Sequence, residues 1–555
     1  MGVNADIVID NATVLTMDPA NPRAEAIAIA GNRIVAVGTS AGIARLKTQA
    51  TRVFDAHGAT VLPGFIESHM HLFPGATQLD SLNLAGLTGF DAIAAAVRRR
   101  AAERPDEKLI LAEQAQYAMF GEGTAIDRHV LDRILPDRML AFYAADHHTI
   151  WANTKALETT GLLAGAKAPA GSEIVLGLDG KANGELREFQ AYEPIVHLTP
   201  TGGREGNGLF SGRALARTPT AAERAHDIAA LKRGLDYCAS LGITSFHNMD
   251  GDPWQLELLD EIDRTEGLKA RAYIPFRMMP DMDIAEFSRA VEERSRYAGE
   301  RLKTGFVKMF MDGVLESTTA FMLDDYGGHP GVKGEALFGQ EQFEAICVEA
   351  DRLGLQIAVH AIGDAAVRRT LDGYAAARKA NGVRDSRHRI EHIETLDPAD
   401  LPRFAELGVV ASIQPTHAPG DYFPPGLISN LIGEKRLRLA YAWQTIRDTG
   451  VRLCFASDWP VAPLDPLYGV RAALTRTAMC DGAAAETQSL GDTLASFTRD
   501  GAFVEFAEND KGMLRPGMLA DVVVLDGDIE NAAPEEVDRL KVRATICDGR
   551  FSYEA

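Results

Sequence analysis

Between about residue 61 and residue 505, short apolar runs alternate with helical stretches, and that alternation leaves few folds open. The runs include Gly305 to Phe310, Leu355 to His360, Arg389 to Ile393, Val409 to Gln414 and Leu453 to Ser457. Helical segments such as Gln340 to Leu353 and Ala365 to Ala380 lie between them. Ala221 to Ser240 places Ile228, Leu231, Leu235 and Cys238 on one helical face. Strands that are apolar throughout belong to a parallel sheet covered on both faces by crossover helices. No glycine-rich phosphate turn follows the first apolar strand, so the expected architecture is a (β/α)8 TIM-type barrel, not an open nucleotide-binding sheet.

The two chain ends read differently. Ile7 to Ile9, Ala12 to Met17, and the pair Ala26 to Ala30 and Arg33 to Val37 around Gly31-Asn32 are short strands with tight turns. Asp521 to Leu525 and Val542 to Cys547 repeat the pattern near the C-terminus. Short strands need a partner sheet to bury a face. Residues 1–60 and 506–555 are therefore expected to form one small β-sandwich domain around a barrel spanning 61–505. The stretch from about 113 to 220 fits the alternation poorly and is read as an insertion over the barrel mouth. For 199–220, with Thr199-Pro200-Thr201-Gly202-Gly203, a flexible linker is the competing reading.

Chemistry first shows in Leu62-Pro63-Gly64-Phe65-Ile66-Glu67-Ser68-His69-Met70-His71. Strand side chains alternate faces, so His69 and His71 point the same way and can grip one metal ion. Alone, such a pair is equally two surface histidines. Polar residues also end later strands: Lys308 within Phe306 to Phe310, then His360, His392 and Asp458. In a barrel, C-terminal strand ends converge on one mouth, so these side chains would share a pocket. Each singly has an ordinary alternative: a snorkelling lysine, satisfied core histidines, a helix-capping aspartate. Their joint occurrence in strand order is what argues for a site.

Charge and cysteine usage narrow the partners. A net charge of −21 disfavours nucleic acid and anionic membrane surfaces. The five cysteines are scattered without a CxxC, which argues against a disulfide framework or a cysteine zinc cluster. The N-terminus has no basic segment followed by an apolar run, and no stretch is long enough to span a membrane, so a cytoplasmic setting is expected. Homo-oligomerisation is left open.

With these residues in view, the chain resembles the amidohydrolase superfamily over nearly its whole length. It is most similar to the third amidohydrolase sequence family and its long members such as N-substituted formamide deformylase. The supporting motifs are Val307-Lys308-Met309-Phe310-Met311-Asp312-Gly313, Val359-His360-Ala361-Ile362-Gly363-Asp364, Arg389-Ile390-Glu391-His392, Ser412-Ile413-Gln414-Pro415-Thr416-His417 and Ala456-Ser457-Asp458-Trp459-Pro460. Asp146-His147-His148-Thr149-Ile150-Trp151-Ala152-Asn153 is similar too, although glycine is more usual where His147 stands. The strand near Leu109 to Tyr117 departs from the glycine-rich form.

The resemblance implies one or two divalent metals, expected as two zinc ions, with manganese, iron or cobalt also suited to such ligands. His69, His71 and Asp458 would hold the first and His360 and His392 the second. Lys308, carbamylated by carbon dioxide, would bridge. Asp458 would act as general base and then acid toward metal-activated water attacking a C–N bond of a small amide, N-acyl or N-formyl. His148, Trp151, Gln414 and His417 are candidates for substrate contacts, Phe276 and Tyr422 for pocket lining, and Asp364 for orienting a ligand. Cyclic amide opening, deamination and ester or carbamate hydrolysis are alternatives on the same site. A metal-dependent lyase or hydratase, or a non-catalytic binding protein, are alternatives of another class.

Overall fold

The computed structural model describes residues 4–121, 123–145, 149–165, 168, 172–420, 422–423, 426 and 428–555. They divide into two compact units, one of Met1–His71, Ser211–Ala214 and Leu235–Ala555, the other of Leu72–Phe210 and Leu215–Gly234.

The first unit is built on eight parallel strands: β1 (Phe65–Met70), β2 (Ile243–Asn248), β3 (Arg271–Arg277), β4 (Leu302–Phe310), β5 (Gln356–Ala361), β6 (Arg389–His392), β7 (Val410–Ile413) and β8 (Leu453–Phe455). Each pairs with the next in chain order, giving a barrel-like sheet. Val307, Ile357, Val359 and Ile390 are fully buried, as continuous apolar runs require when helices cover the outside. The C-terminal half of the first strand meets the chain just past the end of the last. Asp458 N–H donates to the His69 carbonyl at 2.9 Å, and His71 N–H donates to the Trp459 carbonyl at 2.8 Å. The Glu67 carboxylate strengthens this join by accepting Ser457 N–H at 2.8 Å. The join thus falls where His69, His71 and Asp458 stand.

Both chain ends lie in the same unit. Ile7–Asp10, Ala26–Ala30, Arg33–Gly38 and Arg52–Asp55 form a four-stranded sheet. Gly31, with φ 56°, turns the hairpin between Ala26–Ala30 and Arg33–Gly38. A six-stranded sheet pairs N-terminal Thr60–Pro63 with C-terminal Val522–Leu525, antiparallel, with Val523 opposite Leu62. Side chains of the two sheets, Ile9 and Ile27 with Val61, Val522 and Ile546 among them, share one apolar cluster. A buried ion pair ties these ends to the barrel: Arg271, opening β3, places Nε 2.7 Å and Nη2 3.0 Å from the Asp521 carboxylate.

The second unit has a six-stranded sheet of its own, running Glu173–Leu176, Ala182–Arg187, Thr149–Ala152, Met139–Ala144, Leu109–Ala115 and Leu82–Asn83 in spatial order. Much of the stretch read as inserted loops is therefore regular structure. Its apolar strand residues, such as Ile110, Leu140 and Phe142, pack into a core within this unit. Among the described residues no helix is long and apolar enough to cross a membrane.

Candidate metal centre

Alternation along β1 puts Glu67, His69 and, just beyond it, His71 on one side. His69 Nδ1 lies 2.7 Å from Glu391 Oε2, and His71 Nδ1 lies 3.0 Å from Asp250 Oδ1. With Nδ1 engaged, each ring presents Nε2 to Asp458, both at 3.2 Å from Oδ1. Asp458 Oδ1 nonetheless makes no well-directed hydrogen bond. Donor atoms of His69, His71 and Asp458 lie within 4.8 Å of one another, and so do those of His392, His417 and Asp458. Asp458 therefore belongs to both groups.

The remaining strand-end residues stand around this pair. Lys308 pairs in register with Ala358, two residues below the level at which Phe310 faces His360. Its amine is fully buried with no hydrogen-bond partner among the described residues, and 4.7 Å above the Phe310 ring. Burial lowers it to about 7, so the neutral amine is accessible near neutral pH. His360 stacks on the same Phe310 ring at 4.8 Å, with Nε2 3.1 Å from the Gly313 carbonyl oxygen. The His392 ring is 4.4 Å from that of His360 and 4.8 Å from that of His69. His392 and Asp458 sit at φ 76° and 61°, strained values that cluster at functional sites. Burial alone would raise the Asp458 carboxyl, but His69, His71 and His392 hold it well below the usual carboxylate range.

These residues fit a divalent metal. Buried polar atoms are nearly always hydrogen-bonded. Here Lys308 Nζ, His392 Nδ1, His417 Nε2 and Asp458 Oδ1 are all buried without a hydrogen-bond partner among the described residues. Imidazole nitrogens and a carboxylate are also the donors that zinc and its neighbours take.

The carboxylates behind the histidines escaped the reading from sequence. Glu391 is held by Arg389 Nε at 2.9 Å, and Asp250 accepts from Gln255 Nε2 at 2.8 Å. Asp312 takes the N–H groups of Phe321, Ile362 and Gly363 and lies 3.7 Å from His360 Nε2. Asp364, expected to orient a ligand, accepts instead from Leu323 N–H at 2.8 Å and Arg436 Nε at 3.1 Å. The strand-end rule applied to β2 would have singled out Asp250. Glu391 was hidden because strict alternation turns it away from its neighbour His392, whereas the positive φ at His392 breaks that alternation. Of the substrate candidates, Gln414 follows β7, buried, with neither amide atom hydrogen-bonded among the described residues. Trp151 lies in the second unit's core, edge-on to Tyr117 at 4.9 Å. Phe276 packs against Phe287 at 5.9 Å and Tyr422 against Phe423 at 5.0 Å. His148 lies outside the described residues.

Glu391→Gln keeps the side chain's shape but removes the charge behind His69. Metal affinity, measured by competition with a chelator, is expected to fall about 10- to 100-fold. Wild-type affinity would show that Glu391 does not orient His69 toward a metal.

A parallel eight-stranded barrel-like sheet whose C-terminal rim gathers histidines and an aspartate fits a metal-dependent hydrolase scaffold. The sequence pattern described as the amidohydrolase family matches residues 52–553. The chain belongs to the amidohydrolase family and is a metal-dependent hydrolase acting on carbon–nitrogen bonds. It is 29% identical over 562 residues to Protein LONG AFTER FAR-RED 3 of Arabidopsis thaliana, covering 100% of this chain and 92% of that one. It is 27% identical over 572 residues to N-substituted formamide deformylase of Arthrobacter pascens, covering 99% and 98% of the two chains. Among solved structures, an uncharacterized metal-dependent hydrolase from Pyrococcus furiosus is similar with a TM-score of 0.72 and 25% identity, over 95% of this chain and 99% of that one.

Proposed function

We propose that the chain hydrolyses the C–N bond of a small N-acyl or N-formyl amide at a two-metal centre. The observation that carries this reading is Asp458, shared by two groups of buried donors. His69, His71 and Asp458 would hold one zinc ion and His360 and His392 the other, with manganese, iron or cobalt as alternatives. Lys308 would join them as a carbamate: its neutral amine adds to carbon dioxide, forms an N–C bond and releases one proton. A protonated lysine offers no lone pair, so its lowered pKa supports this chemistry. When bound, the metals supply Lewis acidity, which can bring the pKa of a coordinated water from about 15.7 to about 7 and polarise a carbonyl.

Each side chain then has a stated task. Asp458 takes a proton from the attacking water as it adds to the amide carbon, and returns it to the nitrogen as the C–N bond breaks. Glu391 and Asp250 keep His69 and His71 turned so that Nε2 faces inward. Gln414, with both amide atoms unsatisfied, would hold the substrate's acyl group. The two terminal sheets are read as a small β-sandwich domain of 1–60 and 506–555, and 61–505 as the barrel with an insertion at about 113–220. The enzyme is placed in the cytoplasm.

The formamide relative suggests the first substrates to try. Metal-loaded protein should convert N-formyl and N-acyl amines to a carboxylate and the free amine, identified by product mass. Ammonia release from amino-substituted rings without amide cleavage would replace this reading with a deaminase. A product heavier by water with no bond cleaved would point to a hydratase.

A further inference from the structure

His417 stands in the short turn Pro415–His417 after β7. Its two ring nitrogens meet different surroundings. Nδ1 lies 3.5 Å from Glu394 Oε1, and the other oxygen of that carboxylate accepts the Tyr441 hydroxyl at 3.0 Å. Tyr441 also donates its backbone N–H to the Glu394 carbonyl at 3.0 Å, so Glu394 is held at both ends. Among the described residues Nε2 is buried without a hydrogen-bond partner, and it lies 3.9 Å from Asp458 Oδ2. The ring lies nearly parallel to that of His392, 5.8 Å away. A carboxylate behind one nitrogen with the other bare toward a second donor is how proteins present a metal-ligating histidine. His69 and His71 are built the same way, on Glu391 and Asp250.

His360 is held through its other ring nitrogen, with the Asp312 carboxylate 3.7 Å from Nε2. Its Nε2 faces the Gly313 carbonyl oxygen at 3.1 Å. Among the described residues, the side chain whose donor atom converges with those of His392 and Asp458 within 4.8 Å is His417. We propose that His417 is a further ligand of the metal held by His360 and His392, with Glu394 and Tyr441 as its positioning residues. This rests on the two-metal reading and assigns it a donor from β7, where a substrate contact was expected.

The test is metal content and affinity of the holoenzyme after dialysis against a graded chelator, with zinc as the probe. His417→Ala and the gentler His417→Gln should each fall from about two equivalents to about one, while the His69–His71 metal stays. Tyr441→Phe, which only frees Glu394, should weaken the second metal about tenfold with unchanged thermal melting. Two equivalents at wild-type affinity in both His417 variants, with KM raised alone, would overturn the proposal and leave the two-metal centre standing. A wild-type protein that takes up only one zinc would overturn both readings.

Discussion

Asp458→Asn is expected to fold and to keep its metal, yet to lose turnover by about 10²- to 10⁴-fold, the usual worth of a placed general base. The replacement is nearly isosteric, and the amide oxygen can still face His69 and His71, whose Nε2 atoms stand 3.2 Å from Oδ1. The histidines of both donor groups stay in place, so metal retention should follow. What disappears is the negative charge and the capacity to accept a proton. An amide cannot take a proton from water near neutral pH, so the loss should fall on kcat more than on KM. Metal analysis alongside single-turnover kinetics separates the two effects. Turnover within a few-fold of wild type would assign the base elsewhere.

Lys308→Ala is expected to lose one metal equivalent and nearly all activity. Lys308 is wholly buried with its amine bare of hydrogen bonds among the described residues, so truncation removes a donor and opens a cavity at the centre. A carbamate is a carboxylate-like oxygen donor on a long stem. Formate, acetate or propionate can occupy that cavity with the same donor atoms, and activity should return as their concentration rises. Recovery that depends on acid size would match the cavity. Unchanged metal content, or no recovery with any short acid while the variant stays folded, would argue against a bridging carbamate.

What could be read from the chain, and what could not, divides along a physical line. Strand-end polarity is local: Lys308 among Val307, Met309 and Phe310, or Asp458 after Phe455-Ala456-Ser457, stands out because a charge in a buried strand is costly without a purpose. The joining of chain ends was expected for a similar reason, since short strands such as Asp521 to Leu525 cannot stand alone, but the N-terminal strand that pairs with it, Thr60–Pro63, lies where the barrel was expected to begin. The carboxylates behind the histidines depend on distant contacts. Glu391 meets His69 across 322 residues of sequence, and Asp250 meets His71 across 179. Position within a motif also misled: Asp364 follows His360 closely, yet its carboxylate turns to Arg436 and Leu323. The second unit was obscured because its mixed sheet, partly antiparallel, breaks the regular strand-helix beat by which the barrel was recognised.

Metal dependence at the His69–His71–Asp458 group is tested most directly by stripping the purified enzyme with a chelator and restoring zinc in measured steps while following hydrolysis of an N-formyl amine. Activity should vanish on stripping and return in proportion to metal, reaching its plateau near two equivalents per chain. Metal-free protein that hydrolyses the substrate at the full rate would contradict it.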